Sequence, residues 1–120
     1  MGKIRKFDTG ATRDTTEGKY EPWGYTSPLV EKAFCEYMLF HQTGPDGEHR
    51  ESNNWKLGIP MDTYWHALSR HILDFRLIYE QYPEEARTTD IIEALCAIRF
   101  NVDGMIHELK KMELKGMKEK

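Results

Sequence analysis

The chain has 120 residues, of which 39% are hydrophobic and 31% charged, and its formal net charge is −3. This length suits one domain with one core and excludes a second catalytic domain, while the composition excludes a basic surface for duplex nucleic acid and a wholly disordered chain. No apolar run approaches the roughly 20 residues of a membrane span, and the N-terminus lacks the apolar segment of a signal peptide, so we expect a cytoplasmic protein without a membrane partner.

Residues 1–26 are rich in glycine, threonine and charge and show no sustained hydrophobic period, which predicts an irregular N-terminal arm. Within the arm, residues 9–15 read Thr-Gly-Ala-Thr-Arg-Asp-Thr. Hydroxyls, a glycine and the guanidinium of Arg13 are the groups that backbone-and-arginine sites use to hold phosphate. The same residue types also form local turns in a solvated tail. The sequence leaves both interpretations open.

Ser27 followed by Pro28 starts the first predicted helix, because serine is a favoured N-cap and proline a favoured first helical residue. We expect this helix to run over 27–41, with Glu36 on the flank of its apolar face. Glu36 therefore remains a candidate for either a surface or a site role.

A long loop over 42–58 follows, rich in turn-forming residues, and loops of this length usually have a function. Near its end, Asn54 and Trp55 place an amide beside an indole. An indole can stack on a base while an amide reads the edge of that base. Alternatively, the tryptophan anchors the loop in the core.

The second predicted helix spans 60–82 and stops before Pro83. Beside its apolar stripe lie His71 and Asp74, which are surface neighbours because they are three residues apart. The two side chains predict a shared divalent metal or an imidazole oriented by a carboxylate. Equally, Asp74 would pair with Arg70 and have only a structural role. The apolar stripe, predicted to be buried, comprises Trp65, Leu68, Ile72, Phe75 and Tyr79.

The third predicted helix spans 90–113 and opens with Asp90 and Glu93 in a capping-box pattern. Asn101 is a poor residue for a helix interior unless its amide is used. It belongs to a face of small or polar residues that would admit another helix or a ligand, formed by Ala94, Ala97, Asn101 and Gly104. The predicted core stripe is Ile91, Leu95, Ile98, Val102, Met105, Leu109 and Met112.

These elements predict an all-α fold, a small bundle of three principal helices. The predicted organisation is an arm at 1–26, a helical domain at 27–113 and a frayed tail at 114–120. Three helices shield little of such long apolar stripes, so we also expect a homo-oligomer that completes the bundle.

Four segments together resemble the phage family of dATP/dGTP diphosphohydrolase N-terminal domains, which is grouped with MazG-like all-α nucleotide pyrophosphohydrolases. The resemblance covers most of residues 7–108. The chain departs from the MazG-type pattern because it lacks the ExxE and ExxD pairs, and Ala94 stands where relatives often carry histidine. The matching segments are residues 9–15 with Glu17-Gly-Lys-Tyr, Asn54-Trp55-Lys-Leu-Gly-Ile-Pro60, Arg70-His71 and Phe100-Asn101.

The resemblance implies hydrolysis of a purine (deoxy)nucleoside triphosphate to the monophosphate and pyrophosphate, with Mg²⁺ or Mn²⁺ as cofactor. The alternative is a non-catalytic phage accessory protein that binds a nucleotide or a host protein through the same groove. With the helix faces, the resemblance assigns His71, Asp74 and Glu93 to catalysis, Asp74, Glu93 and Glu36 to the metal, and Arg13, Asn54, Trp55, Arg70 and Asn101 to the substrate.

Overall fold

The computed structural model describes residues 3–15, 17–82, 84–85 and 90–118, and 61% of the chain is helical. This confirms a mostly helical fold. The chain forms two compact units, Met1–Glu31 and Lys32–Lys120. The described elements are β1 (Ile4–Lys6), β2 (Thr12–Asp14), α1 (Pro22–Tyr25), α2 (Pro28–Phe40), a 3₁₀ helix (Asn54–Leu57), α3 (Met61–Tyr79) and α4 (Ile91–Lys118).

The first unit contains a small antiparallel hairpin where the sequence predicted an irregular arm. Strands β1 and β2 pair with Arg5 opposite Arg13. The backbone N–H of Phe7 donates to the carbonyl of Ala11 at 2.8 Å and closes the connection. Gly10 has a φ of +92°, which glycine adopts without steric cost. Strands of three residues carry too little hydrophobic alternation to be recognised from the sequence.

The predicted starts of the first and third helices are confirmed. The backbone N–H of Val30 donates to the Ser27 hydroxyl at 3.4 Å, and the N–H of Glu93 donates to Asp90 Oδ1 at 2.7 Å. Both are N-cap bonds that satisfy a donor left over at a helix start. The first helix ends at Phe40, one position before its predicted end.

Helices α3 and α4 form the core of the second unit. Tyr64 lies against Phe100 and Gly104. Tyr64 is near the start of α3 and so far from its end at Tyr79, and Gly104 is at a similar distance along the chain from the start of α4 at Ile91, so the chain folds back and the two helices run antiparallel. The Tyr64 side chain is 1% exposed, and it fits because Gly104 has no side chain. The other buried apolar residues in the described part of the chain are Leu68, Ala94, Cys96 and Ala97.

The small-residue face of α4 packs against α3, whereas the predicted core stripe of α4 is largely exposed. Leu95, Val102 and Leu109 are all exposed. The stripe prediction was therefore wrong. The physical reason is the distance between the axes of α3 and α4. The small residues of α4 let the two helices come close together, and the Tyr64 side chain then fills the space between them.

The buried face of α3 is displaced in the same way. Trp65 is 55% exposed, and Ile72 and Tyr79 are also exposed. Leu68 from the predicted stripe is buried, but Tyr64, which lies outside that stripe, is the most buried residue of the helix.

Helix α3 ends at Tyr79, earlier than the predicted 82, because the chain turns at Gln81. Gln81 has a φ of 65°, and the N–H of Tyr82 donates to the carbonyl of Leu77 at 2.9 Å, which is a Schellman-type end. Pro83, at which the helix was predicted to stop, lies outside the described residues, as do residues 119–120 of the predicted tail.

Helix α4 continues to Lys118, past the predicted end at 113. Its last turns carry ion pairs within the helix, Lys111 with Glu108 at 3.2 Å and Lys110 with Glu113, which support continued helix. Within the described ranges, no helix combines the length and apolar character needed to cross a membrane.

Candidate functional site

A groove of about 610 Å³ lies among α2, the 42–58 loop with its 3₁₀ helix, and α4. This volume falls in the range of roughly 300–1,000 Å³ typical of small-molecule sites. The groove is lined mainly by aromatic and other apolar side chains, with a few polar groups at its edge. We call it the aromatic groove, and the lining residues that matter here are Tyr37, His41, Arg50, Asn54, Trp55 and Phe100.

One wall of the aromatic groove is a row of rings on α2. Phe34 stacks on Tyr37 with ring centroids 6.4 Å apart, and Tyr37 lies 4.3 Å from the imidazole of His41. These residues are three and four positions apart, so they share one helix face. The guanidinium of Arg99 on α4 lies over the Phe34 ring at 4.2 Å, which fixes this face of α2 against α4.

The opposite wall contains Asn54 and Trp55, both assigned to the substrate by the sequence. The Trp55 ring packs edge-on against Phe100 at 6.2 Å and against His107 at 4.8 Å. Both alternatives for Trp55 therefore have support, because the indole anchors the loop on α4 and also lines the groove. Asn54 begins the 3₁₀ helix and places its amide at the groove.

His41 and Glu93 meet at the edge of the aromatic groove. His41 Nε2 lies 3.2 Å from Glu93 Oε1, and the two residues are 52 positions apart in the chain. An ionised carboxylate only accepts hydrogen bonds, so the imidazole donates from Nε2 and its Nδ1 is the acceptor of the neutral ring. The Glu93 carboxylate therefore bonds His41, whereas the Glu93 backbone N–H donates to the Asp90 side chain that caps the helix.

Tyr37 links the ring row to this pair. Its burial, and then the negative charges of Glu93 and Cys96, raise the pKa of the Tyr37 hydroxyl above its ordinary value. The phenol therefore stays protonated at neutral pH and is able to donate a hydrogen bond.

Arg50 supplies a cation to the aromatic groove. Its guanidinium lies directly against the backbone of Gly44, where an added Cβ would collide with it. The N–H of Arg50 also donates to the carbonyl of Gln42 at 2.9 Å, which closes the loop. Arg50 Nη2 lies 4.0 Å from Asp46 Oδ2, and both side chains are exposed.

His71 and Asp74 lie on α3 with Nδ1 and Oδ2 4.0 Å apart, longer than a hydrogen bond, and both side chains are partly buried. Successive residues of a helix are rotated by about 100° about its axis, so each buried face has one flank before it and one after it in the direction of this rotation. In an antiparallel pair, the flanks that come before the two buried faces lie on the same side of the pair. Asp74 precedes the buried face of α3 and Glu93 precedes that of α4. The fold therefore brings these two carboxylates to the same side of the helix pair, with Arg70 exposed on that flank.

The predicted metal ligands are not gathered into one cluster. Among the described residues, no three His, Cys, Asp or Glu side chains are grouped so that they would hold a metal ion. Glu36 is exposed on α2, away from the inner ring row. The described residues therefore do not gather a complete ligand set, and the assignment of Asp74, Glu93 and Glu36 to a metal stays a prediction.

The Asn101 amide is used within the protein. Asn101 is 4% exposed, and its Nδ2 donates to the carbonyl of Ala97 at 2.8 Å. The lining of the aromatic groove in the described chain includes Phe100 and leaves out Asn101. Its predicted contact with a nucleoside stays untested.

Arg13 lies on β2 of the first unit, directly opposite Arg5. Like charges opposite each other in an antiparallel pair destabilise it unless an anion is shared. Arg5 lies 5.2 Å from the centre of the Phe7 ring, which supports its extended side chain. The phosphate contact of Arg13 stays a prediction.

The sequence interpretation missed His41 and Arg50 as site residues. His41 follows Tyr37 by one helical turn, and this spacing of two rings was the available signal. Arg50 carries no local signal, since its position depends on the path of the loop.

Comparison with known proteins finds no matching family model, no matching curated protein and no matching solved structure.

Proposed function

We propose that the aromatic groove binds a purine nucleoside triphosphate and that the protein hydrolyses it to the monophosphate and pyrophosphate. The observation that carries the proposal is the hydrogen-bonded pair of His41 and Glu93 at the edge of an aromatic groove that also holds an arginine and an amide. The sequence resemblance described above names the same class of substrate.

The groove chemistry favours a flat, anionic ligand. Aromatic side chains stack on a purine, and the Asn54 amide offers a donor and an acceptor to the edge of the base. Arg50 offers a forked cation to phosphate. Arg13, opposite Arg5 in the first unit, and Arg70 on α3 are further predicted phosphate contacts.

His41 is the proposed general base. The Nδ1 atom accepts a proton from the attacking water, whose oxygen forms a bond to the α-phosphorus while the bond from that phosphorus to the bridging oxygen breaks. Pyrophosphate leaves with the electron pair. Glu93 holds the imidazole in the required tautomer and stabilises the imidazolium that forms. In this reaction Glu93 is a positioning residue.

The proposal keeps Mg²⁺ or Mn²⁺ as the cofactor, which would neutralise phosphate charge when bound. Its predicted ligands are Asp74, Glu93 and Glu36, and His71 with Asp74 is the second predicted proton-transfer group. We derive no step from the metal, because the described part of one chain does not gather three ligands.

The experiment incubates purified protein with dGTP or dATP and Mg²⁺ or Mn²⁺, and measures pyrophosphate release. His41→Gln should lower the rate by about 10²–10⁴-fold, because general base catalysis contributes on that order. Arg76→Gln is the matched control, since Arg76 lies on α3 and pairs with Glu80.

Two results decide between the functions. If dGTP binds but no pyrophosphate forms with either metal, the non-catalytic accessory protein is the correct alternative. If neither purine nucleotide binds to the wild type, or if Arg50→Gln leaves the affinity for them unchanged, the aromatic groove is not a nucleotide site. The proposal also includes the homo-oligomer expected from the sequence.

A further inference from the structure

His107 is a histidine of α4 that the proposed reaction does not use. It comes seven residues after Phe100, so the two side chains are two turns apart on one face of the helix. The lining of the aromatic groove in the described chain includes Phe100 and leaves out His107. His107 therefore shares a helix face with a groove residue but lies outside the groove.

The Trp55 indole contacts both of these α4 side chains. The centre of its ring system is 6.2 Å from that of Phe100 and 4.8 Å from that of His107, with interplanar angles of 76° and 65°. Both contacts are edge-to-face, a geometry that aromatic pairs prefer over a face-to-face sandwich. The indole is therefore a wall of the aromatic groove with His107 behind it.

The 3₁₀ helix that carries Trp55 does little to hold the indole. It has four residues, Asn54–Leu57, and no side-chain hydrogen bond caps it at Asn53. Such short helices have poorer hydrogen-bond geometry than α-helices, and here the N–H of Gly58 reaches the Trp55 carbonyl at 3.3 Å. Lys56 Nζ lies 5.6 Å from the Trp55 ring, but Lys56 is exposed, and an exposed cation–π contact is weak. The position of the indole therefore depends on its packing against α4.

The two α4 rings are fixed supports for the indole. Phe100 packs against the ring of the buried Tyr64 at 6.1 Å, so the core of the second unit holds it. His107 is on the same helix, about 10 Å further along the axis. A single ring contact would let the indole pivot about that contact, whereas two contacts separated along the helix fix its direction.

We propose that His107 is a positioning residue for the aromatic groove. Its imidazole holds the Trp55 indole edge-on, and this keeps both the indole and the neighbouring Asn54 amide at the groove. His107 acts through Trp55 and does not touch the ligand. The effect on ligand affinity rests on the proposed function, because the ligand is the purine nucleotide proposed there.

The first measurement uses the full chain without nucleotide. Of the three tryptophans, Trp23 is 90% exposed and Trp65 is 55% exposed, so replacing both with phenylalanine leaves Trp55 as the one fluorescent indole. In that parent, His107→Ala should raise the acrylamide quenching constant of Trp55 and shift its emission to longer wavelength, because the indole loses one of its two α4 contacts. His107→Phe should match the parent, since it keeps a ring at this position.

The second measurement is the affinity for dGTP and the rate of pyrophosphate release. His107→Ala should weaken dGTP binding about two- to tenfold, the effect of one edge-to-face aromatic contact, and leave the rate at saturating dGTP unchanged. His107→Phe should restore the affinity. His66→Ala is the matched control, because it makes the same substitution at an exposed histidine of α3 and should change neither quantity.

Three outcomes would overturn the proposal. The first is an unchanged quenching constant of Trp55 in His107→Ala, even if the melting temperature falls, since His107 would then have only a structural role. The second is a His107→Phe variant that behaves like His107→Ala. The third is a more accessible Trp55 with unchanged affinity in a protein that binds dGTP. If the wild type binds no dGTP, the proposed function fails, whereas the quenching measurements still decide whether His107 positions Trp55.

Discussion

Replacing Gly104 with alanine should destabilise the protein, although alanine is the better helix former. The residue lies in the middle of α4, facing Tyr64. A Cβ at this position would overlap the Cζ and Cε1 atoms of the Tyr64 ring and lie 2.7 Å from its hydroxyl oxygen. Because Tyr64 is fully buried, its ring has no free space to move into, and α3 and α4 must separate instead.

The magnitude follows from two opposing terms. Alanine in place of glycine in a helix interior gains about 1 kcal/mol. Overpacking a buried contact costs about 1–3 kcal/mol, and more where neither neighbour can shift. The overlap involves a ring and a helix backbone, both rigid, so we take the upper part of that range. The net loss should be about 1–2 kcal/mol, or about 4–8 °C in melting temperature for a chain of this length.

Chemical denaturation monitored by circular dichroism measures the change, at one fixed protein concentration because the proposed homo-oligomer would add to stability. Gly116→Ala in the same helix is the control. An added Cβ there meets nothing within 4 Å, so only the propensity gain remains and stability should rise by a few tenths of a kcal/mol. If Gly104→Ala proved as stable as Gly116→Ala, the close approach of α3 and α4 at Tyr64 would be wrong.

Four further predictions follow from the structure. Asp74→Asn should abolish hydrolysis and any metal-induced rise in melting temperature if the residue binds metal; a loss of about 1–3 kcal/mol with or without metal, with hydrolysis retained, would mean a structural role. Deletion of residues 1–19 should weaken dGTP binding more than it lowers the melting temperature, and unchanged affinity would mean that the arm is only a tail. Gln81→Gly should raise the free energy of unfolding by about 0.5–1 kcal/mol, because glycine relieves the left-handed φ of 65°, and a lower stability would contradict this. Burial first, and then Glu93, raises the pKa of the Tyr37 hydroxyl in the folded state, so the unfolded state loses this proton at a lower pH. The free energy of unfolding of the wild type should therefore fall above pH 10, up to the folded-state pKa, more steeply than that of Tyr37→Phe. Parallel curves of stability against pH for the two proteins would contradict this.

The sequence was sufficient to locate the helices because their start signals are local. Ser27 and Asp90 act as N-caps through bonds to backbone N–H groups three positions later, and such short-range chemistry is visible without tertiary structure. The end of α3 was less predictable. It depends on Gln81 adopting a left-handed conformation, which the sequence would signal clearly only with glycine or asparagine.

The buried faces were not predictable by hydrophobicity alone. Large apolar residues are usually inside, and that rule selected the stripe that includes Val102. In the structure, the separation of two helices decides which face is buried, and Gly104 permits a separation that the larger residues do not.

The aromatic groove was predictable only in part. Trp55 and Asn54 were found because an amide beside an indole is a distinctive local pair. His41 bonds Glu93 across 52 positions, and no property of either segment alone announces that contact. Arg50 reaches the groove because the loop folds back on Gly44, which is a property of the whole loop path.

Helix α4 is the element that organises the second unit. Around its circumference, Glu93 and Phe100 face the aromatic groove, Gly104 faces α3, and Val102 faces outward. These three directions are fixed to one another by the helix rotation of about 100° per residue. Turning α4 to bury Val102 against α3 would move Glu93 away from His41. The packing of the small-residue face therefore positions Glu93 beside His41 and, by the same rotation, leaves Val102 exposed.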